Sequence, residues 1–236
     1  MQTLQRKSRR AVDRAERPDR QQDILLAAEK LFAQHGYRAV SIRQIAEEAG
    51  VPLALVSYYH GQKHELFQAI FDHWRPTIDE RLSLLAQALQ GTPGPDMLRR
   101  VVEALVLPVL RLRASVEGEY YAQLVARELF YRTPEAATVL QEHFDPMAHA
   151  FIDGLRQACP VSTRAQAAWA YQFAIGALLH HISDERVERL SQGKNRAASP
   201  GGAELLIHFI SAGLAAVLSP PSPPPTLSRR TSRRQT

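Results

Sequence analysis

Apolar residues in the first third of the chain recur at helical spacing in short, sharply punctuated blocks. Ile24, Leu25, Ala28, Leu31 and Phe32 form one stripe of an amphipathic helix over 19–35, and Gly36 ends it. Ile42, Ile45, Ala46 and Ala49 form a second, shorter stripe. Ser41, with Gln44 three residues on, marks its start as a capping box, a hydroxyl and an amide that satisfy the first free N–H groups. Gly50 stands where a helix stops in the left-handed conformation, and Pro52 where the next begins, its missing N–H costing nothing there. Val51 and Val56 close the middle of this unit. Two short helices joined by a tight glycine turn predict a helix-turn-helix, the shape that lays its second helix in a DNA major groove. A core of about 45 residues is marginal alone and must lean on the rest of the chain.

The helical period continues beyond this unit, and no stretch alternates as a strand would. Residues 63–90 predict one connecting helix, bent near Pro76 because proline interrupts the hydrogen-bond ladder. Residues 90–95 are a loop of Gly, Thr and Pro. Apolar-periodic stretches follow at about 95–115 (with Pro108 inside), 117–132, 134–159, 163–190 and 203–218. Breaks fall at Glu117-Gly118, Thr133-Pro134, Pro160 and the 193–202 loop, and no internal repeat is visible. The expected fold is all-α: an N-terminal three-helix helix-turn-helix domain, then a larger helical domain. The expected boundaries are a basic, disordered arm over 1–19, the DNA-binding unit over 20–66, the helical body over 67–218 and a Pro/Arg-rich disordered tail over 219–236.

The pattern G-Y, then S-I-R-x-I-A-x-x-A-G-V, then L-A-x-V-x-Y-x-x-G-x-K-x-x-L-F, resembles the TetR family of bacterial transcriptional regulators. The resemblance covers roughly residues 20–70 without a gap. It implies a homodimer that reads a double-stranded, pseudo-palindromic operator, with a helical body that senses a small molecule and dimerises. Two positions depart from the family pattern. Tyr59 and His60 stand where members commonly carry His-Phe, so the packing of the third helix on the fourth is expected to differ. Leu53 stands where most carry a polar residue. The L-A-x-V-x-Y form of the third helix is similar to that of members sensing fatty-acid-like or aromatic metabolites.

Composition narrows the alternatives. The chain has 236 residues and is 45% hydrophobic and 22% charged, ordinary values for a globular protein. Its one cysteine, Cys159, rules out an intrachain disulfide framework and a multi-cysteine zinc site, and reads as a small apolar residue near a helix end. No apolar run reaches bilayer length, and the Arg-rich N-terminus lacks the apolar core of a secretion signal, so a cytoplasmic protein without a membrane partner is expected. Of the net charge of +5, each tail carries +4, which leaves the middle at −3. A basic arm before a helix-turn-helix can neutralise phosphates or enter the minor groove. The C-terminal prolines favour an extended, solvated tail instead.

Candidate sites follow from position. Ser41, Arg43 and Gln44 begin the second helix: Arg43 suits guanine O6 and N7 or a phosphate, unless it is merely a solvated charge, and a helix N-terminus attracts anions. Leu53 and Ala54, with Leu55, offer thymine methyls an apolar contact. The resemblance assigns phosphate contacts to Ser57, Tyr58, Tyr59 and Lys63, with packing an equal alternative for Tyr59. It also implies an apolar effector cavity, for which Trp74, Gln123, Arg127, Phe130, Phe144 and Phe173 are the candidates, with His143 near them in sequence. The last two long helices are apolar on more than one face, so each is buried or paired with a partner. The resemblance makes them the dimer interface, with Ala174, Ala177, Leu178, His181, Ile207, Ile210 and Leu214 as its residues. No metal or other cofactor is expected: the histidines lack ligand spacing, and His64-Glu65 begins an H-E-x-x-H whose last position is Gln68. No nucleophile elbow, phosphate loop or dinucleotide fingerprint is present, so no enzymatic activity is expected. The alternatives are a low-specificity architectural DNA-binding protein, in which the tails do the binding, and an effector-dependent activator of the same fold.

Overall fold

The computed structural model describes residues 19–131, 133–197 and 199–219, and all regular structure among them is α-helical. The helices are α1 (Arg20–His35), α2 (Ile42–Glu48), α3 (Leu53–His60), α4 (Lys63–His73), α5 (Arg75–Ala88), α6 (Pro95–Ala114), α7 (Glu119–Tyr131), α8 (Pro134–Ala158), α9 (Arg164–Ser183), α10 (Arg186–Leu190) and α11 (Pro200–Leu218). Most of the basic arm (1–18) and of the C-terminal tail (220–236) lies outside the described residues.

Local chemistry sets the helix starts. Asp19 caps α1, accepting from the Gln22 N–H, and complete capping boxes open α2 (Ser41 with Gln44), α4 (Gln62 with Glu65) and α9 (Thr163 with Gln166). Gly50, at φ 65°, makes the turn between α2 and α3. The expected single helix over 63–90 is instead two, α4 and α5, meeting at Trp74. Pro76 has no N–H for the carbonyl of Asp72, so the ladder breaks, and Thr77 satisfies the Trp74 carbonyl with its own N–H and hydroxyl. The stretch 163–190 also divides: Asp184 accepts from the Arg186 N–H and guanidinium, which ends α9 and starts α10. Pro108 and Pro146 lie inside α6 and α8, and both helices continue through them.

Two apolar cores result. The first joins α1–α4 to Tyr121 and Leu124 of α7 and to Ala136, Val139 and Leu140 of α8. The second packs α5, α6, α8, α9 and α11 around Val101, Leu105 and Phe151, with Ala122 and Ala126 of α7 among its members. Phe67, Ile70 and Phe71 of α4 belong to the first core, so a boundary at 66 cuts through a helix that the helix-turn-helix needs. The three-helix unit leans on α7, to which α1 is broadly packed.

By length and composition α11 could cross a bilayer, against the expectation that no apolar run would. Glu204 is its one acidic residue, and it has no Lys or Arg; its Gly, Ser and His do not lower its mean hydropathy enough to disqualify it. Here it lies along α6 and α9, burying Ile207, Ile210, Leu214 and Leu218.

Candidate nucleic-acid interface and effector cavity

One face of α3 is anchored and the other is open. Val56 is fully buried and Leu55 half-buried, while Leu53 is 51% and Tyr58 78% exposed, with Ala54 and Ser57 also outward. Tyr58 and Tyr59 meet edge to face, 5.1 Å between ring centres. His60 turns back, its Nε2 3.0 Å from the Gln21 carbonyl oxygen. That contact ties α3 to α1 at the position where the family pattern has a phenylalanine. Gly61, at φ 66°, ends α3, and the Gln62 N–H donates to Glu65 Oε2 at 2.6 Å, which fixes the entry into α4.

The neighbouring candidates have defined partners. Arg43 is exposed and pairs with Glu47 one turn on, 3.1 Å from Nε to Oε1. The Ser41 hydroxyl and the Gln44 side chain are engaged in their capping box, with Ser41 N–H donating to Gln44 Oε1 at 2.8 Å. Lys63 holds its ammonium 4.3 Å above the centre of the Tyr37 ring, in the aromatic group Phe32, Tyr37 and Phe67. The segment thus presents Ser41, Arg43, Gln44, Leu53, Ala54, Ser57, Tyr58 and Tyr59 to solvent, with Lys63 half-buried at one edge.

A polar group lies inside the junction between this unit and the body. Glu29 of α1 is 1% exposed and accepts from Trp74 Nε1 at 2.6 Å and from the Tyr121 backbone N–H. Burial outweighs both hydrogen bonds and pushes its carboxyl up to about 7. Trp74 stacks on the Tyr121 ring at 5.2 Å. At the C-terminal end of α1, Arg127 donates to the His35 carbonyl at 3.3 Å, and its guanidinium covers Gly36, where a β-carbon would come within 2.8 Å of it.

The body contains a cavity of about 760 Å³ between α5–α9, within the range of small-molecule sites. Val125, Leu129, Leu140, Phe144, Ile175 and Leu179 belong to its apolar wall. Of the six expected effector residues, Phe130 and Phe144 line it. The other four do not. Trp74 is committed to Glu29, Gln123 donates to Glu119, Arg127 clamps α1 to α7, and Phe173 points outward, stacked on Trp169 at 5.6 Å. The sequence reading missed Arg81, which reaches this cavity from α5 and is 6% exposed. In the sequence it looked like one more charge in R-P-T-I-D-E-R, although its spacing from Ile78 and Leu85 puts it on the buried stripe.

The dimer candidates also need correcting. Ala174, Leu178, Ile207, Ile210 and Leu214 are at most 3% exposed, because they are the packing of α9 and α11 on their own chain. Ala177 and His181 are half-buried, and the large apolar side chains that the same two helices leave exposed are Trp169, Phe173, Leu205 and Phe209. Cys159 caps α8 half-buried, and burial pushes its thiol up, the direction opposite to an activated thiolate.

Comparison with known proteins agrees with a helix-turn-helix followed by a helical body. The family model for bacterial regulatory proteins of the TetR family matches residues 24–70, and the tetracyclin repressor-like C-terminal domain matches 103–213. The HTH-type transcriptional activator FasR of Mycolicibacterium smegmatis is 32% identical over 96 residues, 40% of this chain and 42% of that protein. The HTH-type transcriptional regulator HbdR of Aromatoleum sp. (strain CIB) is 30% identical over 108 residues, 46% of this chain and 43% of that protein. The chain thus spans about half the length of the curated relatives it matches. Among solved structures, a TetR-like regulator from Rhodococcus sp. RHA1 superposes with a TM-score of 0.57 at 23% identity, over 84% of this chain and 97% of the other. HlyIIR, a hemolysin II transcriptional regulator, gives 0.57 at 18% identity, over 82% and 96%. These two likenesses establish the fold.

Proposed function

The chain belongs to the TetR family of bacterial regulatory proteins, and from that premise we propose that it is a homodimeric transcriptional repressor, released from its operator by a small molecule. What carries the reading is α3: one side is locked by Val56 and the His60–Gln21 contact, and the other offers Leu53, Ala54, Ser57 and Tyr58 to a major groove. Leu53 and Ala54 contact thymine methyls, so DNA shape contributes to specificity alongside the few polar groups. Ser57, Tyr58, Tyr59 and Lys63 grip phosphates and fix the register. Arg43 exchanges Glu47 for a base edge or a phosphate. The protein acts in the cytoplasm, where its operator is.

The exposed apolar strip of α9 and α11 forms the two-fold interface, in which a partner copy covers Trp169, Phe173, Leu205 and Phe209. Two α3 helices about 34–36 Å apart then read successive major-groove turns. The effector occupies the cavity between α5–α9. One of its walls, Tyr121, stacks on Trp74, which bonds Glu29 of α1. An effector that displaces Tyr121 therefore re-aims α1 and the α3 tied to it. A coupling of about 1–3 kcal/mol, roughly 5–150-fold in operator affinity, is typical of such switches.

The test is selection: the full chain is incubated at physiological salt with fragmented DNA from its own source, and bound fragments are sequenced. A short enriched inverted repeat supports the repressor reading. Binding without an enriched motif favours the architectural alternative.

A further inference from the structure

Among the described residues, Arg81 is a cation buried without a counter-ion. Its Nε and Nη2 make no hydrogen bond among the described residues, and neither does the hydroxyl of Tyr121. Arginine does not escape this by losing its proton. A buried charge left unpaired is strongly unfavourable, so such a group marks a site that a partner completes. Arg81 and Tyr121 both line the cavity between α5–α9, and Tyr171, also in its wall, lies close enough to feel the charge of Arg81. The guanidinium carbon sits 5.8 Å from the centre of the Phe151 ring, so what the protein offers it on that side is a π face.

We propose that the cavity takes an amphipathic organic carboxylate, its head paired with the Arg81 guanidinium and met by the Tyr121 hydroxyl once these buried groups turn toward it, its apolar body lying among Val125, Leu140, Phe144 and Ile175. Charge balance selects this class. Its lining carries the buried guanidinium of Arg81, hydroxyls and amides, and, at the exposed edge, the carboxylate of Asp145 and the imidazole of His180. A single negative charge on the ligand pairs with the buried Arg81 while solvent screens the exposed Asp145, whereas the second charge of a phosphate dianion would be left beside Asp145. The forked geometry of a guanidinium suits the two oxygens of a carboxylate. The apolar walls exclude a small inorganic anion as the natural occupant, because its hydration would go uncompensated.

The proposal rests on the cavity being the effector site, so binding is measured without DNA, and its outcome is independent of whether the chain reads an operator. Purified full-length protein is titrated calorimetrically with octanoate, decanoate, dodecanoate and 1-naphthoate, with decanol and decyl phosphate as controls. Thermal midpoints are recorded in parallel. The expected result is saturable binding of at least one carboxylate, at least about tenfold tighter than decanol or decyl phosphate. Arg81→Gln should weaken that carboxylate about 10–100-fold, bring it level with decanol, and leave the unliganded midpoint unchanged or higher, since an unpaired buried charge has gone. Tyr121→Phe, which keeps the ring stacked on Trp74, should weaken it about 3–10-fold. Asp145→Asn should leave the unliganded midpoint unchanged and tighten carboxylate binding. The proposal is overturned if no carboxylate binds, if decanol or decyl phosphate binds as well as the best of them, or if Arg81→Gln leaves affinity intact. A lower unliganded midpoint in both Arg81→Gln and Asp145→Asn also overturns it, because Asp145 would then be the partner of Arg81.

Discussion

The buried carboxyl of Glu29 makes stability depend on pH in a calculable way. Its pKa rises from 4.5 to about 7 on folding, because burial outweighs the hydrogen bonds from Trp74 and Tyr121. The folded state therefore holds a proton that the unfolded chain releases. That contribution is fully present below pH 4.5 and is lost as pH rises through 7. At 1.36 kcal/mol per unit, the loss reaches about 3 kcal/mol above pH 8, most of it between pH 5 and pH 8. Glu29→Gln removes the titration. It also adds a constant offset, since the amide nitrogen replaces an acceptor facing either Trp74 Nε1–H or the Tyr121 N–H. The diagnostic is thus the slope and not the absolute stability. With about 2–4 °C per kcal/mol for a chain of this size, the midpoint of the variant should gain roughly 5–10 °C on the wild type between pH 5 and pH 8. Trp74 does not titrate, and burial raises the Tyr121 hydroxyl above its ordinary range, so neither contributes in that window. Thermal unfolding followed by circular dichroism across that range gives both curves. Parallel curves would refute the claim that Glu29 is protonated in the fold.

Three further outcomes are expected. Gly36→Ala meets both a positive φ of 84° and the Arg127 guanidinium, so it should destabilise by about 1–3 kcal/mol, read by urea denaturation. A loss under 0.5 kcal/mol would mean that the α1–α7 clamp is loose. Lys63→Met should weaken binding to operator and random DNA alike and reduce the salt slope by about 1, measured by fluorescence anisotropy, whereas Leu53→Asn should chiefly lower the ratio between the two. Phe209→Asp, on the open strip of α9 and α11, should convert dimer to monomer by light scattering without lowering helix content, because this side chain is 68% exposed in the single chain. Retention of the dimer would place the interface elsewhere.

The helix-turn-helix was legible because local chemistry writes it. The Ser41–Gln44 box, Gly50 and Pro52 act within a few residues of themselves, and each stands where the spacing put it. What escaped depends on distance along the chain. Glu29 and Trp74 are 45 residues apart in sequence, and no periodicity links them. Arg127 was chosen for the cavity because aromatics flank it in sequence, yet the turn of α7 carries it to the end of α1 instead. In α9 and α11 the pattern failed for a different reason. Helices rich in apolar residues all round do not say which side faces their own core, and the inward face proved to be Ala174, Leu178, Ile210 and Leu214. At Pro76 the expected bend is a full break in the ladder, whereas α6 runs on through Pro108 as the 95–115 stretch predicts, held on several sides by its neighbours.

The central claim is that α3 reads sequence, and equilibrium affinity tests it most directly. The enriched DNA sequence and a scrambled copy of equal length are titrated with the full chain at physiological salt. The account predicts a preference of about 10³-fold or more, which survives as salt rises while both affinities fall. A ratio near one, with binding that vanishes as salt increases, would contradict it.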